Sequence, residues 1–212
     1  MMRKLLFAAL VALATAASAV AAAPTITLQA SPLVVTYGTA STLSGTVTNA
    51  SGNQDVSVLA QECGTAAMKP LATVTPTSSG GFTYAAHARL NTAYQSKYKN
   101  ATSTTVTVKV RPLMSLRRIA RRKFNVSVLA AQSFAGHTVA FQRYAALSGR
   151  WITVKRVTLV AGATVTTPLP STITSAVTFR VRIKSHLKVR AVLTQAQAGT
   201  CYAASKSNVI RS

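Results

Sequence analysis

The segment Thr104–Val126 reads TTVTVKVRPLMSLRRIARRKFNV and decides the fold class of this chain. Valines alternate with polar residues up to Val110, which is the period-two pattern of a strand with one buried face. The pair Arg111-Pro112 breaks that pattern, and a second β-like stretch ends at Val126. We interpret the pair as a joint, where one β-sandwich ends and another begins. The same segment carries seven lysines and arginines.

Outside this segment the sequence also favours strands over helices. Threonine, valine and serine dominate, and Gly, Asn, Pro or Ser interrupt the alternation every roughly eight to fifteen residues. That spacing is typical of an antiparallel β-sandwich, so we predict an all-β protein. Turns are expected at Tyr37-Gly38 and at Asn49–Gln54. The strands expected in the first part of the chain are Ile26–Leu28, Ser41–Thr48, Val56–Gln61, Leu71–Thr75, Phe82–Ala88, Ala93–Lys97 and Thr104–Val110.

The second part of the chain repeats the order of the first, at a constant spacing for the early blocks and at larger spacings for the later ones. Leu43-Ser44 corresponds to Val126-Ser127, and the segment Met68–Val74 corresponds to Trp151–Val157. A constant spacing across successive blocks indicates a tandem repeat. We therefore predict two domains, residues 24–110 and residues 111–212, with a single large sandwich as the alternative.

The N-terminus has the pattern of a secretory signal peptide. Arg3 and Lys4 precede the apolar run Leu5–Ala17, and small residues follow it. The run is short for a bilayer span, although a retained anchor helix is the alternative. We expect residues 1–23 to be removed, no transmembrane segment in the mature chain, and a secreted or cell-surface protein.

The chain is strongly positive, and its charge is distributed unevenly along the sequence. The chain has 24 lysines and arginines against two acids, Asp55 and Glu62. Both acids lie in the first predicted domain, whereas 17 of the bases lie in Arg111–Ser212. A domain with many bases and no acids repels itself and attracts polyanions. A merely basic secreted domain is the alternative.

The first part of the chain resembles the bacterial immunoglobulin-like repeats of exported surface proteins. The resemblance rests on VTYGTASTLSGTVTNASGNQDVSVLAQ, residues 35–61, with a glycine before a Leu-Ser-Gly-Thr-Val strand and a later Val-x-Val strand. The block NTAYQSKY, residues 91–98, resembles the start of strand F, where Tyr94 would be the tyrosine corner. In the second copy Val128 replaces the glycine. The resemblance implies two tandem immunoglobulin-like antiparallel β-sandwiches and says little about function.

The two cysteines, Cys63 and Cys201, lie one in each copy. In the topology that the resemblance implies, Cys63 follows strand C of the first copy, and Cys201 lies between strands F and G of the second. Both positions would face the joint between head-to-tail domains, so we predict an inter-domain disulfide. Two free thiols and a bridge between chains are the alternatives.

The same topology brings the connections after strands A, C and E of the second copy to the end remote from the joint. Between Phe179 and Lys184, apolar residues alternate with cations along the predicted strand E, which leaves one face cationic. We predict a basic pole there, against the alternative of scattered surface charge. The predicted polyanion-binding residues are Arg117, Arg118, Arg121, Arg122, Lys123, Arg150, Arg180, Arg182, Lys184, Lys188 and Arg190.

Anionic cell-envelope polymers or polysaccharides are the expected partners, because a basic pole attracts such polymers. Sequence-specific recognition of nucleic acid is not expected, since base stacking needs exposed aromatics among the cations. Phe124, Tyr144 and Trp151 are the nearby aromatics, and we predict that all three are core residues. The sequence does not predict an oligomeric state.

We predict no enzyme, cofactor or metal. Hydrolytic chemistry needs paired carboxylates, or a nucleophile with a base and an acid, and Asp55, Glu62 and His87 are the only set available. The three histidines are far apart in sequence, without metal-ligand spacing. The sequence therefore favours a non-enzymatic exported module that binds anionic polymers. A structural spacer at the cell surface is the second hypothesis, and a hydrolase with an unfamiliar site is the third.

Overall fold

A computed structural model describes residues 22–49, 54–165 and 172–212 of the chain. Nearly all of the predicted signal peptide, residues 1–23, lies outside these ranges, and so does most of the turn predicted at Asn49–Gln54. Within them the chain is built almost entirely of β-strands arranged in four sheets. The prediction of an all-β protein is confirmed, and the arrangement is consistent with a β-sandwich.

The N-terminal half, residues 22–111, contributes the first ten strands. They are β1 (Thr25–Ile26), β2 (Gln29–Ser31), β3 (Val34–Thr36), β4 (Ser41–Thr48), β5 (Val56–Glu62), β6 (Lys69–Val74), β7 (Gly81–Ala86), β8 (Thr92–Tyr98), β9 (Ala101–Thr102) and β10 (Val106–Arg111). β4 has the bounds expected from the sequence, whereas β7 ends two residues earlier than expected.

Two sheets form this half. In one, β4 pairs with β7 on one edge and with β1 and β2 in succession on the other. The second sheet has the order β3-β10-β8-β5-β6, with β9 beside β8. All of these pairings are antiparallel except that of β3 with β10, which is parallel.

The alternating pattern decides which face of each strand is buried. Leu43 and Val47 of β4 are buried, while Thr42 and Thr46, which directly precede them, are exposed. Val58 of β5 is fully buried in the second sheet. Burying aliphatic side chains of this size stabilises the fold by about 1.5–3 kcal/mol each relative to full exposure.

The C-terminal half, residues 112–212, contributes the other strands and two short helical turns, a 3₁₀ turn at Ala146–Ser148 and α1 (Gln195–Ala198). The strands are β11 (Leu113–Ala120), β12 (Lys123–Ala130), β13 (Thr138–Ala145), β14 (Arg150–Thr158), β15 (Val160–Val165), β16 (Thr172–Arg180), β17 (Lys188–Leu193), β18 (Ser205–Lys206) and β19 (Ile210–Arg211).

These strands also form two sheets, which pack face to face. One has the order β11-β12-β16-β15, and the other has the order β14-β13-β17-β18, with β19 also beside β17. Phe124 and Phe179 lie side by side on the first sheet, and Phe141 of the second contacts both at centroid distances of 4.9 and 5.2 Å. These three rings form the centre of the core of this half.

The strand predicted to run on to Lys184 ends at Arg180 instead. Val181 donates one further backbone hydrogen bond, to the carbonyl oxygen of Arg122 at 3.0 Å. Beyond it the chain turns, and His186 has the left-handed φ of 65°. The alternating exposure nevertheless continues, since Arg182 and Lys184 are exposed and Ile183 between them is partly covered.

Candidate functional site

Three connections of the C-terminal half lie at one end of its sheets, which we call the distal end. The turn between β11 and β12 lies beside the end of β16, because Lys123 is opposite Arg180. The turn between β13 and β14 and the start of β17 lie at the same end of the other sheet, since Arg143 is opposite Val189 and Ala145 is opposite Arg150. Cys201 lies at the other end of this half, against Asn91.

Four arginines line one shallow depression at the distal end, and we call them the arginine cluster. The depression has a volume of about 500 Å³, and Val181 is its remaining lining residue. The hydrogen bond from Val181 to Arg122 joins the β11–β12 turn to the end of β16, so both elements contribute cations to one surface. The members of the arginine cluster are Arg121, Arg122, Arg180 and Arg182.

A further cation, Lys155 of β14, belongs to the same surface. Its Nζ donates a hydrogen bond of 2.9 Å to the carbonyl oxygen of Arg180 and lies 6.0 Å from the centroid of the Phe179 ring. Sequence analysis missed this residue because β14 lies far from β16 in the chain. The signal that could have found it is the cross-strand position of Lys155 opposite Phe141, whose ring packs on Phe179.

The other predicted cations do not line the depression. Arg117 and Arg118 are exposed on the edge strand β11, opposite Asn125 and Phe124. Lys184 is exposed, and its carbonyl oxygen accepts a hydrogen bond of 2.7 Å from the Ser212 hydroxyl. The remaining three are Lys123, opposite Arg180, Arg150, at the start of β14, and Lys188, opposite Arg211.

Arg190 does not line the depression of the arginine cluster. It lies within β17, opposite Gln142, and it lines a different cleft together with Arg111 and Lys206. β17 runs away from the distal end, and Arg190 is two residues beyond Lys188 on this strand.

Two aromatic residues are also placed differently from expectation. Phe124 is fully buried as predicted, but Tyr144 and Trp151 are only partly buried. Their rings contact each other at 5.4 Å, and the guanidinium of Arg190 lies 4.1 Å from the Trp151 centroid. Tyr144 and Trp151 lie on the outward face of β13 and β14, opposite to the face on which Val139 and Phe141 are buried.

No carboxylate side chain is available to the C-terminal half from its own sequence, because both acids of the chain precede residue 111. Asp55 accepts a hydrogen bond of 2.7 Å from the Thr75 hydroxyl, and Glu62 lines a cleft beside Tyr94. The positive charge of the distal end is therefore not neutralised by side chains of its own half. Such a surface attracts multivalent anions.

The predicted disulfide between Cys63 and Cys201 is confirmed, with Cα atoms 5.3 Å apart. It joins the loop after β5 to the segment between β17 and β18, and so it links the two halves covalently. Hydrogen bonds reinforce the link, since the Ala203 amide donates to the carbonyl oxygen of Val110 at 2.8 Å and the Asn91 amide donates to that of Cys201 at 2.9 Å.

Two buried tyrosines stand at or near this joint. Burial raises the pKa of Tyr202 to about 12, and its hydroxyl oxygen accepts a hydrogen bond of 2.9 Å from the Ala131 amide. Burial also raises the pKa of Tyr94 to about 12, against the opposing effect of a hydrogen bond with the Thr92 side chain. Both phenols therefore stay neutral at physiological pH.

The residues considered for hydrolytic chemistry are only partly brought together. Glu62 and His87 line the same cleft of about 410 Å³ in the N-terminal half, together with Tyr84 and Tyr94. Asp55 is not among its lining residues. Among the described residues, no group of three or more His, Cys, Asp or Glu could hold a metal ion.

Within the ranges that the structure describes, no helix has the length and apolar character needed to cross a bilayer. The chain matches no protein-family model, and no curated protein is significantly similar to it in sequence.

Proposed function

We propose that the protein is an exported, non-enzymatic module of two immunoglobulin-like domains that binds anionic polymers of a cell envelope or matrix through its distal end. The single observation that carries the proposal is the arginine cluster with Lys155 beside it, on a half of the chain without acids. Cations at this density, with no acidic side chain in the same half, are favourable for a polymer that carries a charge on every repeat unit.

The domain assignment has support from the strand pairings. In each half a four-stranded sheet faces a second sheet. The strands β4 and β12 correspond in the sequence repeat, and each pairs with an earlier strand on one side and a later strand on the other. The proposed boundary after Val110 falls one residue before the end of β10, and none of the strand pairings in the described residues joins β1–β10 to β11–β19.

Export has support from the signal-peptide pattern and from the disulfide. Disulfides persist in oxidising compartments outside the cytosol, and this one closes a separation of 138 residues. The expected locations are the extracellular space and the cell surface.

Retention on immobilised polygalacturonate, an anionic polyuronide, tests the polymer-binding proposal. We expect binding at low salt to weaken at least about tenfold as the salt concentration rises about fourfold, because displaced counterions drive such contacts. The triple variant Arg121→Glu, Arg122→Glu and Arg182→Glu should lose binding. Uncharged dextran should not retain the protein.

A matched variant controls for net charge. Lys69→Glu, Lys97→Glu and Lys109→Glu change three exposed lysines of the N-terminal half and alter the total charge by the same amount. Binding by this variant should stay close to that of the unmodified protein. Equal losses in both variants would contradict a distal site and indicate attraction by net charge alone.

A structural spacer is the second candidate, favoured by the covalent and hydrogen-bonded joint between the halves. A spacer needs a fixed length and no ligand. The distal triple variant separates the two proposals, since a spacer would keep its surface association after charge reversal.

A further inference from the structure

A cleft of about 480 Å³ lies at the joint between the two halves, and we call it the junction cleft. Thr36 and Arg111 contribute to it from the N-terminal half. Arg190 and Lys206 contribute from the C-terminal half. Its volume lies in the range of small-molecule sites.

The strand register brings the cations of the C-terminal half to one face. Arg190 and Val192 are two residues apart on β17, so their side chains leave the sheet on the same side. Lys206 of β18 is opposite Val192 and shares that side. Arg111, at the end of β10, borders the same space from the N-terminal half.

Arg190 is held in one orientation before any ligand arrives. Its Nε donates a hydrogen bond of 3.0 Å to Oε1 of Gln142, which is directly opposite on β13. Its guanidinium stacks on Trp151 at 4.1 Å from the ring centroid. Burial lowers the pKa of Arg190 from its very high ordinary value. The two terminal nitrogens make no hydrogen bond within the described residues, so they are free to form a fork for a carboxylate or phosphate.

The remainder of the lining is largely apolar. Leu113 is 43% exposed and lies beside Val192, Met114 and Pro112. The lining of the cleft includes no acidic residue. Three cations therefore surround an apolar surface without a counter-ion, and both features would be satisfied by a ligand with one anionic group and an apolar body.

We propose that the junction cleft binds an amphiphilic anion, a single carboxylate or phosphate on a short apolar chain. The anionic group lies between Arg190, Arg111 and Lys206, and the chain covers Leu113 and Val192. This site is separate from the arginine cluster, which occupies the opposite end of the C-terminal half, and it does not depend on the proposed binding of polymers.

Trp151 provides a local readout, because it is the only tryptophan of the chain and touches Arg190. We expect titration of the disulfide-bonded protein with hexyl phosphate to give a saturable change in tryptophan fluorescence and saturable heat in calorimetry. The double variant Arg111→Gln and Lys206→Gln should raise the Kd at least about tenfold, since charge-assisted hydrogen bonds are lost. Both side chains are exposed, so the variant should fold normally.

The matched control is Arg121→Gln with Arg122→Gln, which removes the same charge at the distal end. Its Kd for hexyl phosphate should equal that of the unmodified protein. An equal loss of affinity in both double variants, or the absence of saturable heat with the unmodified protein, would overturn the proposal.

Three further ligands separate the chemical contributions. Hexanoate should bind the same site, which would show that the anionic group and not phosphate itself is recognised. Inorganic phosphate and 1-hexanol should each bind at least about tenfold more weakly than hexyl phosphate, because each lacks one half of the recognised structure. Equal binding of either one contradicts an amphiphilic ligand.

Discussion

Asn91 joins the two halves with both its backbone and its side chain. Its amide N–H donates to the carbonyl oxygen of Cys201 at 2.9 Å, and its own carbonyl oxygen accepts from the Cys63 amide at 2.9 Å. The side-chain Nδ2 donates to the Thr200 carbonyl oxygen at 2.9 Å, and Oδ1 accepts from the Val110 amide at 2.8 Å. One residue thus holds both ends of the disulfide and the end of β10.

Asn91→Ala should destabilise the protein by about 1–3 kcal/mol, because the partly buried Val110 amide and Thr200 carbonyl lose their partners. Urea unfolding followed by tryptophan fluorescence measures the change. Asn125→Ala is the matched control, since its amide makes an exposed hydrogen bond to the Thr178 hydroxyl. The control should cost less than about 0.5 kcal/mol. A similar loss in both variants would show that Asn91 has no special role at the joint.

The positions of some single residues could be predicted from the sequence, and those of others could not. The cysteine pair could be predicted, because the topology that the resemblance implies brings both cysteine-bearing loops to the joint. The place of Arg190 could not be predicted, because it depends on Gln142 and Trp151, which contact Arg190 only through the pairing of three strands. Asn91 lies inside the predicted strand-F block, but no sequence pattern distinguishes an asparagine that joins two halves of a chain from one in an ordinary turn.

Among the strands, β4 shows how closely a sequence motif and its packing agree. Its Leu-Ser-Gly-Thr-Val motif places Gly45 opposite Phe82 of β7. On the other edge of β4, Gly45 lies at the gap between the partners β1 and β2. A Cβ atom on Gly45 would lie 2.5 Å from the Phe82 ring and closer still to the Thr27 carbonyl oxygen. The missing side chain thus allows the N-terminal segment and the phenylalanine ring to approach the strand.

Gly45→Ala should therefore destabilise the N-terminal half, by about 1–3 kcal/mol, since overpacking displaces a backbone carbonyl as well as a ring. Thermal unfolding measures the effect. Gly81→Ala on the adjacent β7 is the matched control, because its Cβ would meet nothing nearer than the Thr77 hydroxyl at 3.4 Å. Equal melting temperatures for the two variants would contradict the packing explanation.

The strands themselves were largely predictable, because alternation of buried and exposed residues is a local property. The arrangement of cations at the distal end was less predictable. The turn residues Arg121 and Arg122 follow from the pattern, but the approach of Lys155 to Arg180 requires the contact between two sheets. The end of β16 at Arg180 could not be predicted either, because Val181 and Ile183 continue the alternating pattern toward the turn around His186.

For the whole molecule, the disulfide is the strongest constraint between the halves. In the chain-entropy model, a bridge across a separation of 138 residues stabilises the folded state by about 5 kcal/mol. Cys63→Ser with Cys201→Ser should lower the free energy of unfolding by up to that amount and broaden the distribution of angles between the two halves.

Urea unfolding and small-angle scattering measure the two effects of removing the disulfide. Cys63→Ala with Cys201→Ala should reproduce the serine pair, which would separate the loss of the bridge from the introduction of hydroxyl groups. Unchanged stability and an unchanged scattering profile in both pairs would show that the hydrogen bonds of Asn91 suffice to hold the joint.

The position of the disulfide also determines what a proteolytic cut does. The turn at Arg121 and Arg122 is exposed and lies between Cys63 and Cys201 in the sequence. Cleavage there yields two fragments that remain one covalent molecule, because each keeps one cysteine of the bridge. A trypsin-like protease that attacks the most basic turn of the protein would therefore nick it without releasing either half, until a reductant separates the fragments.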